Sequence, residues 1–208
     1  MVQSLDYLKE SPSQTAGPYV HIGTNPNWVE ITGVWKADLG LVLVGPQTRG
    51  ERILVEGRLF DGLGEPVRDA LVEIWQADAA GLHNSPAETR GKADPAFAGW
   101  GRQPVSGVDG SFRFETVRPG SVPMPDGRPQ APHITVWIVA RGINLGLHTR
   151  LYFADEAAAN ATDPLLQRIP SPERRQTLIA PRTERDGLPV FTFDIRLQGE
   201  RETVFLDI

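Results

Sequence analysis

Apolar and polar residues alternate with a period of two over much of the chain from Arg52 onward, which is the pattern of half-buried strands. Ile53, Val55 and Leu59, with Gly57 on the same side, alternate with Leu54, Glu56 and Arg58, and Asp61-Gly62 then turns the chain. Residues 70–75 predict a second strand, followed by a long loop from Ala77 to about Ser106. Asp109-Gly110 is a hairpin signal ahead of residues 111–115, whose Phe112 and Phe114 share one face. A proline-rich loop over 118–132 feeds the most hydrophobic strand, 133–140, and 148–153 reads as another. Residues 154–160 predict a short helix with Asp155 and Glu156 in its first turn. Asp163-Pro164 and Ser171-Pro172-Glu173 start further helical turns, with proline at the first helical position. Residues 191–197 alternate cleanly, and 203–208 close the chain. Residues 1–50 show no strong period; the stretch 11–19 is extended in character and is expected to cross a surface. Short strands separated by turns, with helices only late, predict an all-β protein, an antiparallel β-sandwich with long loops and a few short helices. One domain over 1–208 is expected, with 1–50 as arm and loops and 51–208 as the sandwich core.

Composition narrows the function classes. The 208 residues include 21 glycines and 18 prolines, a turn-rich count that suits short strands better than a helix bundle. A formal net charge of −5 offers no footprint for nucleic acid. No apolar run reaches the length of a bilayer span and no basic-then-apolar leader opens the chain, so neither a membrane protein nor a secreted precursor is expected. With no cysteine there is no disulfide, thiolate nucleophile or cysteine metal site, which fits a cytoplasmic location. Three of the 21 basic residues are lysines (Lys9, Lys36, Lys92); the rest are arginine, the side chain suited to planar carboxylates and interface ion pairs.

Histidines are few: His21, His83, His133 and His148, with no H-x-H pair and no i, i+4 pair. His133 opens the apolar strand and reads most simply as a hydrogen-bonding group at a strand entrance. No Gly-x-Ser-x-Gly elbow or phosphate-binding loop is present, so a nucleophilic hydrolase has no support.

Three stretches resemble the signature of the intradiol ring-cleaving dioxygenases: Val55-Glu56-Gly57-Arg58-Leu59, Gly64-Glu65-Pro66-Val67, and Val72-Glu73-Ile74-Trp75-Gln76-Ala77-Asp78. The arm Thr15-Ala16-Gly17-Pro18-Tyr19-Val20-His21-Ile22-Gly23 is similar to that of the iron-free α-type chains in the family's two-chain members. So are Ala140-Arg141-Gly142-Ile143-Asn144, residues 148–153, and the tail Phe193-Asp194-Ile195-Arg196-Leu197-Gln198-Gly199-Glu200. The likeness runs from about residue 10 to the C-terminus.

The resemblance implies the family's sandwich fold and cleavage of a carboxylated catechol, protocatechuate, by O2 to 3-carboxy-cis,cis-muconate. Catalytic members hold Fe(III) with two tyrosines and two histidines, phenolate being the hard donor that stabilises the ferric state. Here those positions fall on His83, Val122, His133 and Thr135, and the arginine of catalytic members falls on Gln130. One ligand of four survives. The resemblance therefore implies a vestigial site with no catalytic residue and no metal in this chain. It implies a homologous β chain that holds Fe(III), and a higher αβ oligomer. Thr15, Gly17, Pro18 and Tyr19 in the arm, together with Arg141, match the segments that border the substrate pocket at the interface. From the residues alone, Gly17-Pro18 is equally a simple turn and Arg141 equally an interface ion pair. A non-enzymatic transthyretin-like or carbohydrate-binding sandwich explains the strands and the lost ligands as well, but not the arm or the tail.

Overall fold

The computed structural model describes residues 14–17 and 19–207. The expectations for Pro18, for the arm before Gln14 and for Ile208 lie outside the described residues. Ten strands carry the fold: β1 Arg52–Phe60, β2 Leu71–Trp75, β3 Trp100–Pro104, β4 Ser111–Val117, β5 His133–Val139, β6 Leu147–Phe153, β7 Ile179–Ala180, β8 Arg182–Arg185, β9 Leu188–Thr192 and β10 Ile195–Arg196. One sheet is built around β1, which pairs with β4 along one edge and with β9 and then β10 along the other, β8 lying outside β9. The second sheet runs β3-β2-β5-β6-β7. Short helices α1 Val20–Thr24, α2 Ala157–Thr162 and α3 Pro172–Gln176, with a 3-10 turn at Leu166–Arg168, sit outside the sheets. Among the described residues no helix is long and apolar enough to cross a membrane.

The period of two does what it predicts. Ile53, Val55 and Leu59 of β1, Phe112 and Phe114 of β4, and Phe191 of β9 face Val72, Ile74, Ile134, Val136, Ile138 and Phe153 of the other sheet in one buried cluster. Each such side chain contributes roughly 1.5–3 kcal/mol by leaving water. Phe153 meets Phe191 edge to face, ring centroids 4.8 Å apart at 86°. A smaller cluster of Ala131, Tyr152, Leu166, Leu178 and Val204 lies under the helices on the outer side of the second sheet.

The sandwich is as expected, but its sheets are mixed: β1 pairs in parallel with β9 and β10, and β6 with β7. The alternating run at 191–197 is broken at Phe193-Asp194, where the chain passes close to Gly57. A Cβ on Gly57 would lie 1.9 Å from the Phe193 carbonyl oxygen, so only glycine fits the close approach. Asp109-Gly110 makes a local turn, its carboxylate accepting from the Ser111 N–H at 3.2 Å and Gly110 taking φ 67°. It is not a hairpin, because β3 and β4 belong to different sheets and the turn carries the chain between them. The loop expected from 77 to 106 contains β3. The closing segment adds one bridge to the second sheet, His148 with Leu206. Asp155 and Glu156 precede α2 rather than forming its first turn, and both pair with Arg118 (2.7 and 3.1 Å). That guanidinium lies over the Phe153 ring, and its position explains why the two acids point away from the helix. Ser171 caps α3 as expected, accepting from the Arg174 N–H with Pro172 in the first turn.

Candidate functional site

The four positions implied as iron ligands converge at one end of the second sheet. Asp78, buried at the end of the signature strand, organises the loop carrying His83. Its Oδ1 accepts from Ala80 and Leu82, its Oδ2 from Asp94 at 2.8 Å, and its carbonyl from Gly120. Gly81, at φ 78°, lets this loop press on the turn at 119–122; a Cβ there would lie 2.2 Å from the Ser121 carbonyl oxygen. His83 then stacks on Trp75, with centroids 5.6 Å apart and rings 3° from parallel. Trp75 is in register with Thr135, and Thr135 with Arg150, so these share the outer face of the sheet. Gln130 holds Val122 in place: its N–H and its side-chain amide both donate to the Val122 carbonyl, at 3.1 and 3.3 Å. Arg150 donates to the Gln130 Oε1 at 2.7 Å.

The donors at this end do not make a ferric shell. Val122 has no donor atom. His133 Nδ1 pairs with the Ala131 carbonyl at 2.8 Å, which fits the strand-entrance reading. Tyr152, tilted against His133 at 5.6 Å, is a neutral phenol: burial raises its pKa, and its hydroxyl donates to the Asp163 carboxylate at 3.2 Å. Burial also holds the His83 imidazole below its usual pKa, opposed by the Glu88 carboxylate. Among the described residues no three His, Asp or Glu side chains converge as a metal cage.

Burial drops the His133 pKa to about 4, with the Arg150 charge adding to the effect. The unfolded chain, near 6.5, takes up the proton first as pH falls. Stability is therefore full above about pH 6.5 and declines toward pH 4, by at most roughly 3 kcal/mol from this group. Urea midpoints measured across that window should show the decline, and His133→Asn should flatten it; an equal slope in the variant would remove His133 as the cause.

The second constellation lies at the opposite end of β5. The Thr15 hydroxyl donates to the Ala140 carbonyl at 3.1 Å and accepts from the Gly142 N–H at 2.8 Å, tying the arm to both sides of Arg141. Arg141 is 65% exposed and its Nη2 lies 3.0 Å from Asp69 Oδ2, so the ion-pair reading is present within the chain itself. Gly17 accepts the Val20 N–H at 3.1 Å and so begins the turn into α1, yet a Cβ there would meet nothing within 4 Å among the described residues. Tyr19 is 75% exposed. Thr15 thus stands beside Arg141, with Gly17 and Tyr19 following it along the arm, at the end of β5 opposite His133.

Sequence reasoning missed Trp75, Arg150 and Asp69 as parts of these sites. The first two were legible as outward positions of strands whose inward positions are apolar. Asp69, just ahead of a strand, carries no local signal. Trp75 also lines a shallow groove of about 410 Å³ with Trp100, Thr135, Trp137 and His148.

Comparison with known proteins agrees with this geometry. The family described as Dioxygenase matches residues 24–199. The protocatechuate 3,4-dioxygenase alpha chain of Pseudomonas putida is 46% identical, over 98% of each chain. The corresponding beta chain of Burkholderia cepacia is 35% identical, over 74% of this chain and 67% of that one. Among solved structures, the dioxygenase domain of a carbohydrate-binding fusion protein from Streptomyces sp. SirexAA-E superposes with a TM-score of 0.56 at 27% identity, covering 76% of this chain and 87% of that one. The chain belongs to the intradiol dioxygenase family. Within that family it aligns end to end with an alpha chain and over a shorter span with a beta chain.

Proposed function

We propose that this chain is the iron-free α-type subunit of a protocatechuate-cleaving intradiol dioxygenase, with Fe(III) held by a homologous β chain. Intradiol dioxygenases are iron-dependent, and alpha and beta chains are separate subunits, so a β partner follows from the family. The observation that carries the assignment of the metal is the donor set: a chain aligned end to end with an alpha chain places His83, Val122, His133 and Thr135 at the ligand positions. The ring opening by O2 then belongs to the partner. This chain's part is to wall the pocket with Thr15, Gly17, Pro18 and Tyr19 and to present Arg141 to the substrate's carboxylate.

The surface supports a partner. Trp28, Ile31, Val34, Trp35, Leu39, Leu41 and Val42 are all exposed within residues 28–42, a density of large apolar side chains that marks an interaction face. The open space around Gly17 and the exposure of Tyr19 are accounted for if another chain packs there. Further contacts of the same kind between αβ pairs would build the higher oligomer.

Protocatechuate carries an anionic carboxylate remote from its two hydroxyls, and a guanidinium that contacts it equally in ground and transition states lowers KM without changing kcat. Arg141→Ala in the assembled enzyme should raise KM for protocatechuate roughly tenfold, about 1.4 kcal/mol, and leave kcat nearly as it was. Catechol, which lacks the carboxylate, should be spared. Equal losses of kcat on both substrates would contradict the carboxylate assignment.

A further inference from the structure

We propose that Asp69 is the positioning residue for Arg141, holding its guanidinium at the edge where the substrate's carboxylate arrives. The inference rests on the reading just given for Arg141 and adds a residue to it.

The ladder between β2 and β5 sets the placement. Leu71 is opposite Val139 in this antiparallel pair, so continuing the register outward sets residue 70 against 140 and Asp69 against Arg141. The two form an ion pair across the end of the ladder, Arg141 Nη2 to Asp69 Oδ2 at 3.0 Å, two positions beyond the last paired residues, Leu71 and Val139. The two sides differ in rigidity. Asp69 leads into Ala70 and Leu71, which are fully buried, and its own side chain is 28% exposed. Arg141 sits in an exposed turn whose next residue, Gly142, takes φ 89°. A long side chain on such a turn has many rotamers, and an anchored carboxylate opposite it selects among them.

The pair leaves Arg141 able to act. A guanidinium has five N–H donors in a planar fork, and Asp69 approaches at one terminal nitrogen. The rest of the fork remains to receive a second carboxylate from outside. His21 also faces Asp69 from α1, but burial lowers its pKa and keeps it neutral near pH 7. Arg141 is therefore the cation whose position Asp69 governs. Thr15 fixes the backbone on both sides of Arg141, and Asp69 fixes the side chain.

The two neutral replacements separate orientation from charge. Asp69→Ala removes the acceptor, whereas Asp69→Asn keeps an oxygen for the guanidinium and removes only the competing negative charge. KM and kcat are to be measured for protocatechuate and for catechol with the αβ assembly carrying each variant and, alongside, Arg141→Ala. Asp69→Ala is expected to raise KM for protocatechuate about three- to tenfold, with kcat and the catechol constants unchanged. Asp69→Asn is expected to leave KM for protocatechuate at or below the parent value. If Asp69→Ala leaves KM unchanged while Arg141→Ala raises it, the positioning role is wrong and the role of Arg141 stands. If Arg141→Ala also leaves it unchanged, the carboxylate reading itself falls. Equal losses on both substrates, or a rise with Asp69→Asn as large as with Arg141→Ala, would also overturn the positioning role.

Discussion

Removing residues 1–19 is expected to separate the two chains and to bring turnover down with them. The described part of this arm makes few attachments to its own chain, chiefly the Thr15 hydroxyl bonds to Ala140 and Gly142. Its apolar surface points outward, with Tyr19 at 75% exposure. An exposed tyrosine of this kind, once buried in a partner, is a typical anchor worth about 2 kcal/mol or more, roughly thirtyfold in affinity for that side chain alone. The deletion also removes the Thr15 bonds to the turn that carries Arg141, which on the proposed reading takes away a wall of the pocket and the footing of its cation. Co-purification of the co-expressed chains and turnover of protocatechuate should both fall steeply. The sandwich of the truncated chain should still fold, because the described residues of the arm take no part in the main buried cluster. Full assembly with unchanged activity would show that the arm is not an interface element.

The strands that sequence alone revealed are those whose stability is written in local pattern. β5 alternates buried and half-buried residues along its length, β4 does so over Ser111–Thr116 and β1 over Val55–Phe60, each near a turn signal, and α3 announces itself through Ser171 and Pro172. β3 has no such pattern: Trp100-Gly101-Arg102-Gln103-Pro104 contains a glycine and a proline. It is a strand because β2 provides the partners, with Trp100 opposite Trp75 and Arg102 paired to Glu73 at 2.6 Å. The parallel pairing of β1 with β9 and β10 joins segments more than a hundred residues apart, and no local signal encodes it. Asp109-Gly110 shows the same limit from the other side. Its turn chemistry is local and was legible, whereas the sheet each flanking strand joins is decided by the whole fold.

The sites divide in the same way. His83, Val122, His133 and Thr135 are far apart in sequence and were grouped through the family resemblance; the Asp78 loop and the Gly81 contact are what bring them to one end of the sheet. Arg141 was legible as a candidate, but its partner was not. Opposition across a ladder depends on register, and register at the strand end is visible only in the folded chain.

Ferric iron is the second point of large effect. A ferric site of this family's kind needs phenolate oxygen, and the tyrosine beside His133 is committed as a donor to Asp163 with its pKa raised. Val122 offers no donor, Thr135 offers a neutral hydroxyl, and His133 has one nitrogen engaged with Ala131. A neutral hydroxyl and two imidazoles do not favour the ferric state over water or the partner's complete site. This chain expressed alone should accordingly carry no stoichiometric iron, show no tyrosinate-to-iron colour and turn over no protocatechuate. All three should appear when the β chain is supplied.

Metal analysis with a visible spectrum, on this chain purified alone and on the co-purified pair, measures where the iron resides. The expected outcome is one ferric iron for each pair of chains, with a charge-transfer band in the pair and neither iron nor band in this chain alone. One iron per polypeptide and a visible band in the chain purified by itself would show that His83, His133 and their neighbours hold the metal, and the division of labour between the two subunits would be wrong.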